Sequence, residues 1–261
     1  MYALPELAPI TAAWWKGVRL HVSLAGGPLL PEVSEHDGDE ESLWLSPTLV
    51  LAQSCGYPLT HRLAGKVRYV ATFCHGVPGC HGADYSSLIL VHDDDPAASP
   101  ADLRGYRAAI NSWDSHSGMN ALRHAVAAFA TNGRFFGEVQ VSGSHRASLA
   151  RLRCGQADVA AVDCVTYALL GTVAPEELRG LRVLARSAAA PGLPLITRGA
   201  APPAEIAALR RGLASALADP DLEPLRRGLL LTGMEVLAPD AYGRICVLER
   251  EAQAAGYPRL G

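Results

Sequence analysis

The sequence predicts an α/β protein of two lobes, with mostly parallel sheets flanked by helices. Apolar runs typical of strands alternate with segments of helical periodicity along most of the chain. Loop-like stretches at residues 93–100 and 191–198 interrupt this alternation, and we interpret each as a crossing between lobes. Lobe 1 is therefore predicted to contain residues 1–92 and 195–261, and lobe 2 residues 93–194.

The predicted lobe 1 combines helices from both ends of the chain with a set of strands. The helices are expected over residues 7–22, 58–63, 203–217, 222–231 and 239–255, and the strands over residues 49–52, 67–73 and 85–92. In the first helix Trp14, Trp15 and Val18 are expected to face inward, whereas Lys16 and Arg19 face outward. The apolar run at residues 88–91 is typical of a strand that is covered on both faces.

The predicted lobe 2 alternates strand and helix in the same way. Its strands are expected over residues 107–111, 138–142, 157–163 and 182–186, and its later helices over residues 147–153 and 164–170. The first helix of this lobe follows residue 118, because Met119, Leu122, Val126 and Phe129 recur at helical spacing.

The turn at residues 111–118, with the sequence NSWDSHSG, is the strongest candidate for a binding site. It precedes a helix whose first amides have no partner within the helix and lie at the positive end of the dipole, which attracts anions. Ser115 and Ser117 add hydroxyl donors, and Gly118 lets a ligand approach the backbone closely. Alternatively, a serine or Asp114 only caps the helix, although neither serine is followed by the Glu or Gln of a capping box.

Polar side chains also end the other predicted strands. Ligands of open α/β sheets bind beyond the carboxyl ends of the strands, so we expect these side chains to converge on one cleft. They are Gln53 and Ser54, His75, Asn111, Ser115 and Ser117, Ser144 and His145, and Asp163.

Composition excludes several classes of protein. The chain has 261 residues, 49% of them hydrophobic, and a net charge of -3 without a run of Lys or Arg, so nucleic-acid binding is not expected. No apolar run approaches the ~20 residues that span a bilayer. Pro5, Glu6 and Pro9 interrupt the apolar N-terminus, so no signal peptide is expected, and the chain as written is predicted to be cytoplasmic unless a leader was removed.

The chain contains six cysteines but no CxxC motif. The pattern of Cys74-His75 and Cys80-His81 does not have a usual zinc spacing, so no metal and no cofactor are expected. A disulfide among Cys55, Cys74 and Cys80 is expected if the protein meets an oxidising compartment. The remaining cysteines are interpreted as small buried apolar residues: Cys154, Cys164 and Cys246.

Five segments resemble a known family in the same order along the chain, from about residue 43 onward. They are QSCGYPL, PGCHGADYSSLILV, DLRGYRAAINSWDSHSGMNALRHAV, GSHRASLARLRCGQADVAAVDCVTYALL and LLLTGMEVLAPDAYGRICVLEREAQAAGY. These segments are similar to the phosphate-, phosphite- and phosphonate-binding proteins of ABC transporters, the PhnD-like group. The resemblance implies a type 2 periplasmic-binding-protein fold, in which two α/β lobes close on a small ligand by a hinge.

The resemblance also implies a set of binding residues. Carried over by position, Ser115, His116 and Ser117, with Gly118 beside them, hold the oxygens of an anion through backbone amides and hydroxyls. His145 donates to the same oxygens. In the alternative interpretation His145 only begins a helix.

Three further residues are carried over from the resemblance. Tyr85 reaches in from the first lobe, Asp163 meets an amine of the ligand, and Tyr57 is a weaker candidate, as is Gln53. Asp163 is equally well explained as the N-cap of the next helix, and Tyr85 as a core residue.

The implied function is reversible binding of a small phosphonate- or phosphate-like anion by a monomer that is not an enzyme, with an ABC permease as partner. Two departures from the family leave alternatives open. Members carry a leader, and they begin with a strand for which only residues 1–4 are present here. The alternatives are a cytoplasmic enzyme of the same fold that acts on a small carboxylate or a thiamin precursor, with His145 or His116 and Asp163 as acid and base, and a ligand sensor.

Overall fold

The computed structural model describes residues 2–33 and 39–261, which form two compact units. Of the described residues, unit 1 contains those within Met1–Gly76, His81–Ala83 and Pro191–Pro239. Unit 2 contains Val77–Cys80, Asp84–Ala190 and Asp240–Gly261. Both units combine sheets with helices, which confirms the predicted α/β class.

Helices and strands alternate along the described chain. The helices are α1 (Ala8–Leu24), α2 (Glu40–Trp44), α3 (Gly56–Thr60), α4 (Ala121–Val126), α5 (His145–Arg153), α6 (Cys164–Val173), α7 (Pro203–Ala218), α8 (Glu223–Gly228) and α9 (Gly243–Ala254). The strands are β1 (Ala52–Gln53), β2 (Val67–His75), β3 (Asp84–Tyr85), β4 (Ser87–His92), β5 (Arg107–Ile110), β6 (Glu138–Val141), β7 (Val159–Asp163), β8 (Leu181–Arg186), β9 (Ala190–Pro191), β10 (Pro194–Arg198) and β11 (Leu231–Glu235). In the described ranges, no helix combines the length and the apolar character that crossing a bilayer requires.

Unit 1 is built on a four-stranded sheet in the order β1-β10-β2-β11. Its strand pairs are antiparallel. Of the residues predicted to face inward in the first helix, Trp14 and Val18 are buried in a core with Val70 and Ala71 of β2 and Leu209 of α7, and Trp15 packs against it partly buried. Burial of such apolar side chains stabilises the unit by about 1.5–3 kcal/mol for each large residue.

Unit 2 is built on a five-stranded sheet in the order β6-β5-β7-β4-β8. Strand β5 pairs in parallel with β6 and β7, whereas β4 is antiparallel to both β7 and β8. The expectation of mostly parallel sheets is therefore wrong. The continuous apolar run in β4 reflects its central position between two strands and burial on both faces, and it carries no information about strand direction.

Three predicted elements differ from the observed ones. The strand expected over residues 49–52 is reduced to β1. The helix expected over residues 222–231 ends at Gly228, and the following residues form β11, which pairs with β2. Of the possible first strand at residues 1–4, residues 2–4 are not in a strand, and residue 1 lies outside the described residues.

The units differ from the predicted lobes at several places. The chain leaves unit 2 and enters unit 1 at residue 191, within the predicted crossing at residues 191–198. The other predicted crossing, at residues 93–100, lies inside unit 2. Unit 2 also includes residues 84–92, because β4 pairs with β7 and β8, and residues 240–261, because α9 packs on α4. Long-range pairing of this kind leaves no local mark in the sequence.

Candidate functional site

The turn after β5 is shaped by the side chain of Ser115. Its Oγ accepts a hydrogen bond from the amide of Gly118 at 2.9 Å, while its own backbone is extended. The next residues, His116–Asn120, form a π-helical turn that closes with a 3.1 Å hydrogen bond from the Asn120 amide to the Ser115 carbonyl. The helix continues directly into α4. Residues 115–120 are all buried, so the start of this helix is fixed by the interior of unit 2.

The Ser115 cap determines which amides remain to face a ligand. The Gly118 amide already donates to Ser115, so this amide is not available to a ligand at the positive end of the helix. The packing around position 118 also explains why this residue is a glycine. A Cβ at this position would lie 1.9 Å from Oδ1 of Asn111 and 3.3 Å from the Asn111 amide nitrogen. The glycine is therefore needed for the packing of Asn111, whatever a ligand requires.

Replacing Gly118 with alanine is expected to lower the free energy of unfolding by about 1–3 kcal/mol, the usual cost of an overpacked interior. Gly171→Ala in α6 is the matched control, because a Cβ there meets nothing closer than Leu178 Cδ1 at 3.6 Å. That control should gain up to about 1 kcal/mol from the better helix propensity of alanine. Urea denaturation of both variants checks the prediction, and equal stability of Gly118→Ala and the parent chain would contradict the packing argument.

Ser117, His145 and Asp163 come together within unit 2. Ser117 Oγ lies 2.8 Å from Nε2 of His145, and the same nitrogen lies 3.4 Å from Oδ2 of Asp163. His145 is held at the first position of α5 because Ser144 caps that helix, accepting from the amide of Ala147 at 3.0 Å. The His145 side chain is 13% exposed and that of Asp163 is 4% exposed, so the cluster is almost dry.

Burial sets the charge of His145. Removal from water lowers the pKa of the imidazole, and the neighbouring carboxylate of Asp163 and the carbonyl of Ala161 offset only part of that shift. The ring is therefore neutral at pH 7. A neutral imidazole has one N–H and one acceptor nitrogen, so Nε2 either accepts from the Ser117 hydroxyl or donates to an oxygen brought beside it.

Asp163 has a structural role at the end of β7. Its Oδ1 accepts from the amides of Val165 and Thr166 at 3.1 and 2.8 Å, and its Oδ2 accepts from the Thr166 hydroxyl at 2.5 Å. Asp163 is therefore the N-cap of α6, which is the alternative interpretation given in the sequence analysis. Because Oδ2 also faces His145, the cap leaves one carboxylate oxygen at the edge of the cluster.

His116 is buried within unit 2. Its Nδ1 lies 3.2 Å from Nδ2 of Asn120, which can only donate, so Nδ1 is the acceptor. Burial lowers the pKa of His116 to about 3, with a smaller contribution from His124. The ring of Tyr85 lies 6.1 Å from that of His116. Tyr85 belongs to unit 2, whereas the prediction places it in the first lobe; it ends β3, one residue before β4 begins.

Sequence reasoning missed a buried polar network behind the turn. Asn120 donates to the carbonyl of Ile245 at 3.2 Å and accepts from Arg123 Nη2 at 2.7 Å. Arg123 also donates to the carbonyl of Pro258 at 2.8 Å and pairs with Glu249 at 3.2 Å. The sequence contains a sign of this network, because Asn120 and Arg123 lie three positions apart within an apolar helical stripe. The network fixes the helix of the turn to α9.

The remaining candidates lie elsewhere. Tyr57 is in α3 of unit 1, where its ring stacks on His61 with the centroids 4.0 Å apart. Gln53 ends β1, and its carbonyl accepts from the indole of Trp44 at 3.1 Å. Within the described ranges, the side chains close enough together to hold a metal ion are those of His92, Asp93 and Asp94, which form ion pairs at the surface. This group does not include the Cys/His pattern of the sequence.

A family model identifies the family of this chain, and solved structures show its fold. A family model for the periplasmic substrate-binding protein of phosphonate ABC transporters matches residues 48–242. PhnD1 from Prochlorococcus marinus in complex with methylphosphonate has a TM-score of 0.75 at 13% identity, covering 94% of this chain and 94% of that chain. No curated protein matches the sequence.

Two other solved structures are similarly close. The binding protein component of an ABC phosphonate transporter from Pseudomonas aeruginosa has a TM-score of 0.74 at 19% identity, covering 94% of this chain and 82% of that chain. A Xanthomonas citri protein bound to ATP has a TM-score of 0.70 at 20% identity, covering 96% and 94%. These likenesses show that the chain has the fold of periplasmic binding proteins.

Proposed function

Since the chain belongs to the family of periplasmic substrate-binding proteins of phosphonate ABC transporters, we propose that it binds a small phosphorus oxyanion beside Ser117 and His145. The observation that carries this proposal is the 2.8 Å contact between Ser117 Oγ and His145 Nε2 at a buried helix start. Hydroxyl, imidazole and backbone amides are the donors that a phosphonate or phosphate oxygen accepts.

Neutral dipoles hold the anion in this proposal. Residues 111–118 contain no Lys or Arg, and the nearby Arg123 is occupied by Asn120, Pro258 and Glu249. A buried oxyanion without donors would be costly, so each oxygen needs a hydrogen bond. The Ser117 hydroxyl, the His145 imidazole and backbone amides at the helix start are the proposed donors, and the proton of the Ser117–His145 hydrogen bond shifts so that one of the two groups donates to the ligand. Asp163 Oδ2, as an acceptor, favours a ligand that carries a proton or an amine. Tyr57 and Tyr85 stay as predicted contributors.

We propose binding without chemistry, because the cluster lacks the geometry of a catalytic relay. In a Ser-His-Asp triad the serine and the acid contact opposite ring nitrogens, so that the acid orients the base. Here Ser117 and Asp163 both face Nε2 of His145. Asp163 is also held by its three hydrogen bonds to Val165 and Thr166. An ABC permease is the proposed partner that receives the ligand.

Titration calorimetry with methylphosphonate, phosphate, phosphite, sulfate and a small carboxylate tests this function. Ser117→Ala and His145→Gln are each expected to weaken binding of the preferred phosphorus oxyanion roughly 10–100-fold, because a hydrogen bond to a charged group contributes about 1.5–3 kcal/mol. Thr172→Ala is the matched control, since it removes an exposed hydroxyl of unit 2 that bonds only its own helix at Ala168. It should bind like the parent chain.

Two outcomes would overturn the proposal. Unchanged affinity in both Ser117→Ala and His145→Gln would refute the site while leaving the family assignment intact. Binding of the carboxylate alone would instead support the enzyme alternative, in which a turnover assay with that carboxylate becomes the deciding measurement.

A further inference from the structure

Cys80 and Cys164 bring two thiols into contact in unit 2. Their sulfur atoms lie 3.5 Å apart, although the residues are separated by more than 80 positions in the sequence. All six cysteines lie in the described ranges and carry reduced thiols. A disulfide has a sulfur–sulfur distance of about 2.05 Å, so this pair needs a movement of only about 1.5 Å to form one.

The backbone around the two thiols holds them together. Gly79 has a φ of +110°, and a Cβ there would lie 3.0 Å from Cβ of Cys164. Ser86 bridges the two segments, since its Oγ donates to the carbonyl of Gly79 at 3.1 Å and its carbonyl accepts from the amide of Cys164 at 3.0 Å. The contact is therefore a packed and hydrogen-bonded junction between residues 79–80 and the first turn of α6.

We propose that Cys80 and Cys164 form a reversible disulfide when the protein meets a low-molecular-weight disulfide. Cys80 is partly exposed and Cys164 is 1% exposed, so the Cys80 thiolate attacks first. It displaces one thiol of the reagent and forms a mixed disulfide. The Cys164 thiolate then attacks the Cys80 sulfur and displaces the second thiol. The two protein thiols lose two protons and two electrons, and the reagent is reduced to two thiols.

The local chemistry favours this pair over other cysteines. The hydrogen bond from Cys80 lowers the pKa of the Cys164 thiol, although burial opposes it. Burial and the carboxylate of Glu235 raise the pKa of Cys74 to about 11, which leaves that thiol protonated and unreactive. The proposed bond therefore differs from the pairing among Cys55, Cys74 and Cys80 that the sequence suggested.

The bond would also stabilise the protein. It closes a loop of about 85 residues, and a cross-link of that span removes much conformational entropy from the unfolded chain. We expect the melting temperature to rise by roughly 5–10 °C on oxidation.

The test is incubation of the purified full chain with oxidised glutathione, followed by alkylation and peptide mass mapping. The expected product lacks two hydrogen atoms and contains one cross-linked peptide that joins Cys80 to Cys164. Its melting temperature falls back when dithiothreitol is added. Cys80→Ser and Cys164→Ser should each abolish both the cross-link and the thermal shift, whereas Cys74→Ser should retain them.

Three results would overturn the proposal. They are the absence of any intramolecular cross-link in the parent chain, a cross-link that joins Cys55 or Cys74 instead, and a cross-link between Cys80 and Cys164 that leaves the melting temperature unchanged or lower. Because the readouts are mass and melting temperature without ligand, they are independent of the proposed anion site.

Discussion

We expect the Arg123→Ala variant to lose about 3–5 kcal/mol of the free energy of unfolding, the usual cost of removing one partner of a buried ion pair. Arg123 is 4% exposed and its partner Glu249 is 16% exposed. The variant removes the arginine partner of the Glu249 carboxylate and also removes the donor to the Asn120 side-chain oxygen and to the Pro258 carbonyl. Urea denaturation of the two chains measures the difference.

Arg227→Ala is the matched control for this loss. Arg227 pairs with Glu223 on the surface of α8, where the two side chains are 77% and 52% exposed. An exposed pair one helical turn apart contributes about 0.3–0.5 kcal/mol, so this variant should be nearly as stable as the parent chain. If both arginine variants lost the same small amount, the network behind the turn would have no special energetic role.

The second large effect is a loss of stability in acid that depends on His116. In the unfolded chain an imidazole takes up a proton near pH 6.5, whereas burial lowers the pKa of folded His116 to about 3. Between these values the unfolded chain holds more protons, so stability is complete above about pH 6.5 and falls as the pH drops. The expected slope is about 1.4 kcal/mol per pH unit between pH 6 and pH 4.

Denaturation at several pH values measures this slope in the parent chain and in His116→Gln. The glutamine variant keeps an acceptor for Asn120 but has no proton to gain, so its slope should be smaller by about 1.4 kcal/mol per pH unit, even if its stability is lower throughout. His81→Gln, at an exposed position, should keep the slope of the parent chain. A steep slope that survives in His116→Gln would assign the acid sensitivity to other groups.

The element types were largely predictable from the sequence, whereas their partners were not. The apolar run at residues 88–91 correctly predicts a doubly covered strand, but burial on both faces is the same for parallel and antiparallel neighbours. The first residue of β11, Leu231, was assigned to the end of a helix and the strand was not predicted, because a short apolar run has no decisive periodicity. What makes it a strand is pairing with β2, about 160 residues earlier in the chain.

For the candidate site, too, the residues were predictable from the sequence but their contacts were not. The polar residues at the ends of β5 and β7 and at the start of α5 were identifiable, since helix starts and strand ends have recognisable residues. The hydrogen bonds among them were not identifiable. Ser115 and Asp163 are both capping residues, so part of their polarity is used within the fold. The Arg123 network depends on residues near the C-terminus, which local patterns cannot connect to the turn.

The π-helical turn at His116–Asn120 amounts to one extra residue within a helix. Each residue of an α-helix advances the chain by about 100° around the axis. Deleting one residue here would leave the Ser115 cap in place but rotate everything after the turn by about that angle, carrying Arg123 away from Glu249. The extra residue therefore sets the rotation of α4 about its axis relative to the Ser115 cap, and so decides which face of α4 docks on α9. A related chain that is one residue shorter or longer at this turn is therefore expected to dock α4 on α9 through a different face, even if its flanking sequences are the same.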